Sequence, residues 1–114
     1  MNTRAVGKIG EDIAVVYLKK NGYKIIARNF NCHGGEIDVI AQHGDYYVFI
    51  EVKSRNTAAF GAPREAVTYY KQQRIVSAAN YWLFKKRLVG VPVRFDVVEV
   101  VDGIPSVIQD AFRP

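Results

Sequence analysis

Four charged side chains, Glu36, Asp38, Glu51 and Lys53, stand inside two apolar runs, GEIDVI (35–40) and FIEVKSR (49–55). A carboxylate among Ile, Val and Phe is costly to bury unless it is paired or holds a cation. Between the runs lies His43-Gly44-Asp45-Tyr46, and Gly44 suits the first central position of a two-residue type II′ hairpin turn. With His43 facing Tyr46, the register carries Asp38 opposite Glu51 and Glu36 opposite Lys53. Directly opposed residues have Cβ atoms roughly 4.5–5.5 Å apart. Two carboxylates so placed repel, and a divalent cation between them turns that cost into binding. Mg2+ takes oxygen ligands and keeps waters for a phosphate substrate. By strand alternation Glu36, Asp38 and Ile40 share one face, as do Tyr47, Phe49, Glu51 and Lys53. Lys53 can then hold a phosphate oxygen, orient a water or stabilise developing negative charge, with Glu36 positioning it across the strands. The plainer reading is a half-exposed hairpin carrying ordinary salt bridges. Against it, Val and Ile occupy both faces, as in strands covered on both sides.

Periodicity outlines the elements that must position this hairpin. Residues 3–21 read as a helix with an apolar stripe of Val6, Ile9, Ile13, Val16, Tyr17 and Lys20, capped by Thr3 and ended by Gly22. Residues 23–31 read as a strand with Lys24, Ile26, Arg28 and Phe30 on one side, followed by a turn at CHGG and the hairpin at 35–54. A loop spans 55–63, and Pro63 opens a short helical turn through Arg64, Glu65 and Ala66. Thr68 caps a second long helix, about 69–88, with a buried stripe of Ile75, Ala78, Ala79, Trp82 and Leu83. Lys85, Lys86 and Arg87 favour its C-terminal end. Residues 91–101 form another strand, Asp102-Gly103 a turn, and 104–109 a short edge strand that tolerates Pro105. The order α-β-β-β-α-β(β) makes an α/β layer sandwich, a mixed sheet flanked by helices. The long helix between strands 46–54 and 91–101 is a right-handed crossover, so those two strands run parallel.

The chain has 114 residues, the size of one domain. It is 49% apolar and 24% charged, which argues for a packed globule over a disordered chain. Lys and Arg number 16 against 11 Asp and Glu, a net charge of +5 that suits a polyanion, nucleic acid above all. Many small basic proteins nevertheless bind nothing charged. One cysteine, Cys32, excludes an internal disulfide and a cysteine-based zinc cluster, and a cytoplasmic location is expected. Cys32 reads as an ordinary strand-end residue. Glu11 and Asp12 interrupt any signal-peptide core, and no run approaches a membrane span. Asp96 and Arg94 read as a structural charge pair, and His33 and His43 as surface residues in turns. Lys71, Gln72, Gln73 and Arg74 crowd the first turns of the second helix, where side chains and backbone N–H groups can meet phosphate; a solvated helix start is the bland alternative.

Asp38, twelve intervening residues, and Glu51-Val52-Lys53 resemble the PD-(D/E)xK nuclease signature, with Ile37 where a proline is usual. The ordered set GEDIAVVYL (10–18), RNF (28–30), GEIDVI, FIEVKSR, FGAP (60–63), EAV (65–67) and RFDVVEV (94–100) resembles the YraN-like family of bacterial proteins over about residues 4–102. That resemblance implies a restriction endonuclease-like three-layer sandwich, close to archaeal-type Holliday junction resolvases, in a single domain spanning 1–114. It implies a Mg2+- or Mn2+-dependent DNA endonuclease, structure-selective, working in repair or recombination. Asp38 and Glu51 would bind the metal with the Val52 carbonyl, Glu11 would complete the acidic cluster, and Lys53 would be catalytic. Gln72 or Gln73 matches a helical Gln of some branches. Arg28, Arg55, Lys71 and Arg74 are the candidates for phosphate contacts. The expected partner is DNA, branched or single-stranded; a second copy of the chain and a protein supplying specificity are further candidates. Two other classes stay open: a non-catalytic nucleic-acid-binding accessory module with a nuclease-like fold, and a structural module that binds no nucleic acid.

Overall fold

The computed structural model describes residues 3–56 and 67–114, with residues 3–6 described as backbone only. The helical turn expected at 63–66 lies outside the described residues. The described residues form, in chain order, α1 (Thr3–Lys20), β1 (Lys24–Cys32), β2 (Gly35–His43), β3 (Tyr46–Arg55), α2 (Tyr69–Lys85), β4 (Val93–Val101) and β5 (Ile104–Ile108). The strands form one mixed sheet in the order β1-β2-β3-β4-β5. Only β3 and β4 are parallel, joined by the crossover that carries α2.

Local chemistry sets the boundaries. Gly22 follows α1 at φ 85°, a left-handed conformation that costs glycine little. The Thr68 hydroxyl accepts the Lys71 amide at 3.2 Å and so caps α2. Arg87, at φ 58°, stops α2 short of the expected residue 88. Gly44 has φ 60° while Asp45 stays out of the left-handed region, which fits the type II′ turn.

Neighbouring residues of β3 feed two cores. Val48 and Ile50 pack with Ala14, Val15 and Leu18 of α1. Phe49 packs with Ile75, Ala78, Ala79 and Trp82 of α2, together with Phe95. The sheet is therefore covered on both faces, as the Val and Ile content required.

The buried stripe of α1 differs from the expected one. Ile9 and Val16 are 51% and 54% exposed, whereas Gly10, Ala14, Val15 and Leu18 face the sheet. The reason is distance: a Cβ on Gly10 would collide with Ser54, so the helix descends onto β3 along its small residues.

At the hairpin end, Asp96 is fully buried and its charge is matched. It accepts bonds from Tyr23 Oη (2.7 Å), from Arg94 Nε and Nη2 (both 2.9 Å) and from the Asp110 amide (2.9 Å). Burial and the Asp96 carboxylate push the Tyr23 phenol up to about 12, so it remains a donor. The expected Arg94–Asp96 pair is present. His43, expected at the surface, instead stacks on Tyr23 at 4.0 Å and meets Arg94 Nη2 through Nδ1 at 2.8 Å. A stacked ring beside a guanidinium covers the network's open side.

Candidate functional site

The β2–β3 register agrees with expectation from His43↔Tyr46 to Val39↔Ile50 and then stops, one pair before Asp38 and Glu51. The strands part there because β2 changes face. Ile37 packs toward α2 and Val39, two residues on, packs toward α1. The neighbouring strand turns at the same level: Arg28 pairs with Val39 and Phe30 with Ile37, and Asn29 between them has φ 54°. Arg28 reaches α1 while Phe30 joins the α2-side core, so the single face for Lys24, Ile26, Arg28 and Phe30 does not hold. A period-two pattern is lost wherever a strand is bent out of its pleat.

The bend aims Asp38 across the gap. Its Oδ2 accepts the Val52 amide at 2.8 Å, and its carboxyl makes side-chain contact with Glu51. Glu51 is 8% exposed. Burial and the adjacent Asp38 carboxylate push its carboxyl up to about 8, against a smaller pull from Lys71. The facing carboxylates expected from the sequence are thus brought together, by a bend rather than by a regular ladder.

The lysines are placed differently from expectation. Glu36 does not have Lys53 as its ladder partner; its ion pair is with Lys71 Nζ at 3.6 Å. The same ammonium lies 3.4 Å from Glu51 Oε2. Burial works against the Lys71 charge, but Glu51, Glu36 and Asp38 together hold its pKa above the ordinary lysine value. Lys71, expected among the phosphate contacts, therefore sits on the acidic pair itself. Lys53 is half-buried, and its neighbour in the β3–β4 register is Glu99, an acid only 2% exposed. Glu99 went unnoticed in RFDVVEV because nothing local distinguishes it from a solvated strand charge; the parallel register alone sets it beside Lys53.

The remaining expected residues are spread around this centre. Glu11 accepts from Arg28 Nε (3.1 Å) and Asn29 Nδ2 (3.0 Å), which ties α1 to the bend in β1. Among the described residues, no three Asp, Glu, His or Cys side chains gather into a metal-holding group. Arg28 also bonds Asp12 at 2.7 Å, so its guanidinium is committed to α1. Gln72 Nε2 donates to the Val67 carbonyl at 2.9 Å and secures the entry to α2. Arg74 contributes backbone: a Cβ on Gly35 would fall onto its carbonyl, so α2 rests directly on the start of β2. Arg55 is half-buried at the end of β3, where its carbonyl accepts the Asp102 amide at 3.0 Å.

The centre is thus a half-buried Asp38 and a buried Glu51, both hard oxygen donors, with Lys71 in contact and Lys53 two residues along β3. Such a pair could hold a divalent cation, with Glu36 at its rim. No described helix is long and apolar enough to cross a membrane.

Comparison with known proteins assigns the chain to a family. A UPF0102 protein of Clostridium perfringens (strain 13 / Type A) is 47% identical over 116 residues, covering 96% of this chain and 95% of its own. A UPF0102 protein of Geotalea uraniireducens (strain Rf4) is 46% identical over 117 residues, covering 98% and 92%. One of Caldicellulosiruptor saccharolyticus (strain ATCC 43494 / DSM 8903 / Tp8T 6331) is 44% identical over 110 residues, covering 96% and 93%. The family model for the uncharacterised protein family UPF0102 matches residues 10–100, which takes in Asp38, Glu51, Lys53, Lys71 and Glu99, and the chain belongs to that family.

Proposed function

We propose that the protein is a Mg2+- or Mn2+-dependent DNA endonuclease of the PD-(D/E)xK type, with a restriction endonuclease-like three-layer fold. The observation that carries this reading is the contact between Asp38 and the buried Glu51 at the break in the hairpin ladder. Their oxygens match the ligand chemistry of a hard cation.

Asp38 and Glu51 would hold the metal, with the Val52 carbonyl as a further oxygen. When bound, the metal would polarise the scissile phosphate and lower the pKa of a water. Lys53 would orient that water or neutralise charge as the phosphodiester is cut, with Glu99 beside it fixing its position. Glu11 would act through the bend, holding Asn29 across from Asp38, rather than as a ligand. Arg55 and Arg74 remain candidates for backbone phosphate contacts, which orient DNA without reading its sequence. Arg28 would have to leave Glu11 and Asp12 to join them. We infer cleavage that follows DNA shape, as repair or recombination requires.

The test is cleavage of labelled single-strand, duplex, flap and four-way-junction DNA with Mn2+ or Mg2+, beside Asp38→Ala and Lys53→Ala. Metal-dependent cutting by wild type alone is the expected result. No cutting, or equal cutting by the variants, would reject it. The second reading, a nucleic-acid-binding module without catalysis, draws on the commitment of Glu11 to Arg28 and Asn29. It predicts DNA binding that survives both EDTA and Asp38→Ala.

A further inference from the structure

Lys71 stands in an unusual position for a lysine at the start of a helix. Its ammonium bridges Glu36 and Glu51, and the Asp38 charge adds to its hold. The two distances, 3.6 and 3.4 Å, exceed the roughly 2.7–2.9 Å of a tight charge-assisted hydrogen bond. The side chain is 37% exposed. The ion pair is therefore loose and open to solvent, whereas the helix beneath it is fixed, capped by Thr68 and seated on Gly35. A fixed backbone carrying a solvent-accessible ammonium suits exchange.

We propose that the Lys71 ammonium is a resident counter-ion of the Asp38–Glu51 pair that competes with a divalent cation for these carboxylates and passes to a substrate phosphate once the cation binds. This rests on the metal-site reading above. A monovalent ammonium beside the pair offsets its charge in the metal-free protein, which keeps two touching carboxylates tolerable. An incoming divalent cation is repelled by that ammonium, so removing the Lys71 charge relieves the repulsion. Displaced from Glu51, the ammonium still sits on the first turn of α2 beside the site, where a phosphate would be its natural partner.

The experiment is Mn2+ binding followed by electron paramagnetic resonance at pH 7.5. It compares wild type, Lys71→Gln, Lys71→Arg and Asp38→Asn, with folding checked by circular dichroism. Lys71→Gln should bind Mn2+ about tenfold more tightly than wild type, as removal of a nearby like charge requires. Lys71→Arg, which keeps the charge, should stay near wild type. In parallel, Mn2+ should tighten binding of a non-cleavable phosphorothioate DNA to wild type, and this gain should shrink severalfold in Lys71→Gln. Unchanged or weaker Mn2+ affinity in Lys71→Gln, with Asp38→Asn still losing the metal, would overturn the counter-ion role and leave the metal site standing. Mn2+ uptake by neither wild type nor Lys71→Gln would overturn both.

Discussion

The Asp38 carboxylate accepts the main-chain N–H of Val52 at 2.8 Å, in the place where a ladder bond would otherwise form. A side chain has replaced a backbone carbonyl as the partner of a strand amide. The amide stays satisfied, the two strands separate by one step, and the freed space brings the Glu51 carboxyl against Asp38. The local structure and the chemistry of the site are one arrangement, since the bond that ends the hairpin also orients the carboxylate.

That bond separates structural from chemical loss. Asp38→Ala leaves the Val52 amide without its acceptor, at about 1–3 kcal/mol of stability. Asp38→Asn can keep an oxygen toward the amide and should unfold within about 1 kcal/mol of wild type. Both should lose metal binding and cleavage. Urea unfolding beside cleavage assays separates the effects, and an active Asp38→Asn would remove Asp38 from the chemistry.

Stability should fall with pH over a defined window. Glu51 titrates at about 8 in the fold against an ordinary 4.5, so between these values the folded protein holds a proton the unfolded chain has lost. Stability is then highest below about 4.5 on this account, declines as pH rises, and levels off above 8. Glu51→Gln should flatten the decline and stabilise the metal-free protein at pH 8 by about 2–4 kcal/mol. Thermal melts across this range check it; parallel profiles for wild type and variant would contradict it.

Gly35 tests the seating of α2. A methyl there meets the Arg74 carbonyl, which is backbone and cannot swing aside. Gly35→Ala should cost about 1–3 kcal/mol, as overpacking does. It should also shift Lys71 relative to Glu51. Gly10→Ala meets only the Ser54 side chain, so much of its cost should vanish in a Ser54→Gly background. Equal costs in both backgrounds would show that the helix contact is not set by Ser54.

The Asp96 network should matter for stability alone. Asp96→Ala strands Arg94, whose side chain is 12% exposed, and should cost about 3–5 kcal/mol. Tyr23→Phe removes one bond to Asp96 and should cost about 1 kcal/mol. Where the variants fold, metal affinity should match wild type. A selective loss of metal binding would tie this end of the sheet to the acidic pair.

Sequence alone determined the element order, the hairpin turn at Gly44, the Thr68 cap, the parallel pairing through α2 and the residues of the α2 stripe. Each depends on neighbours within a turn or two, or on a connection rule that holds for any chain of that order. It also set Asp38 and Glu51 at matching heights of the hairpin, because a two-residue turn leaves little freedom of register, although the contact itself is made by the bend.

Tertiary structure decided what depends on distant partners. The face change at Asp38 and Asn29 breaks the alternation on which face assignments rest. The choice of Gly10, Ala14 and Leu18 over Ile9 and Val16 follows from close approach to Ser54, which hydrophobic periodicity does not register. The exchange of partners, with Glu36 going to Lys71 and Lys53 lying beside Glu99, arises because the helix and the parallel strand arrive from elsewhere in the chain. Charges pair with what packing brings within reach, and packing is settled only when every layer is in place.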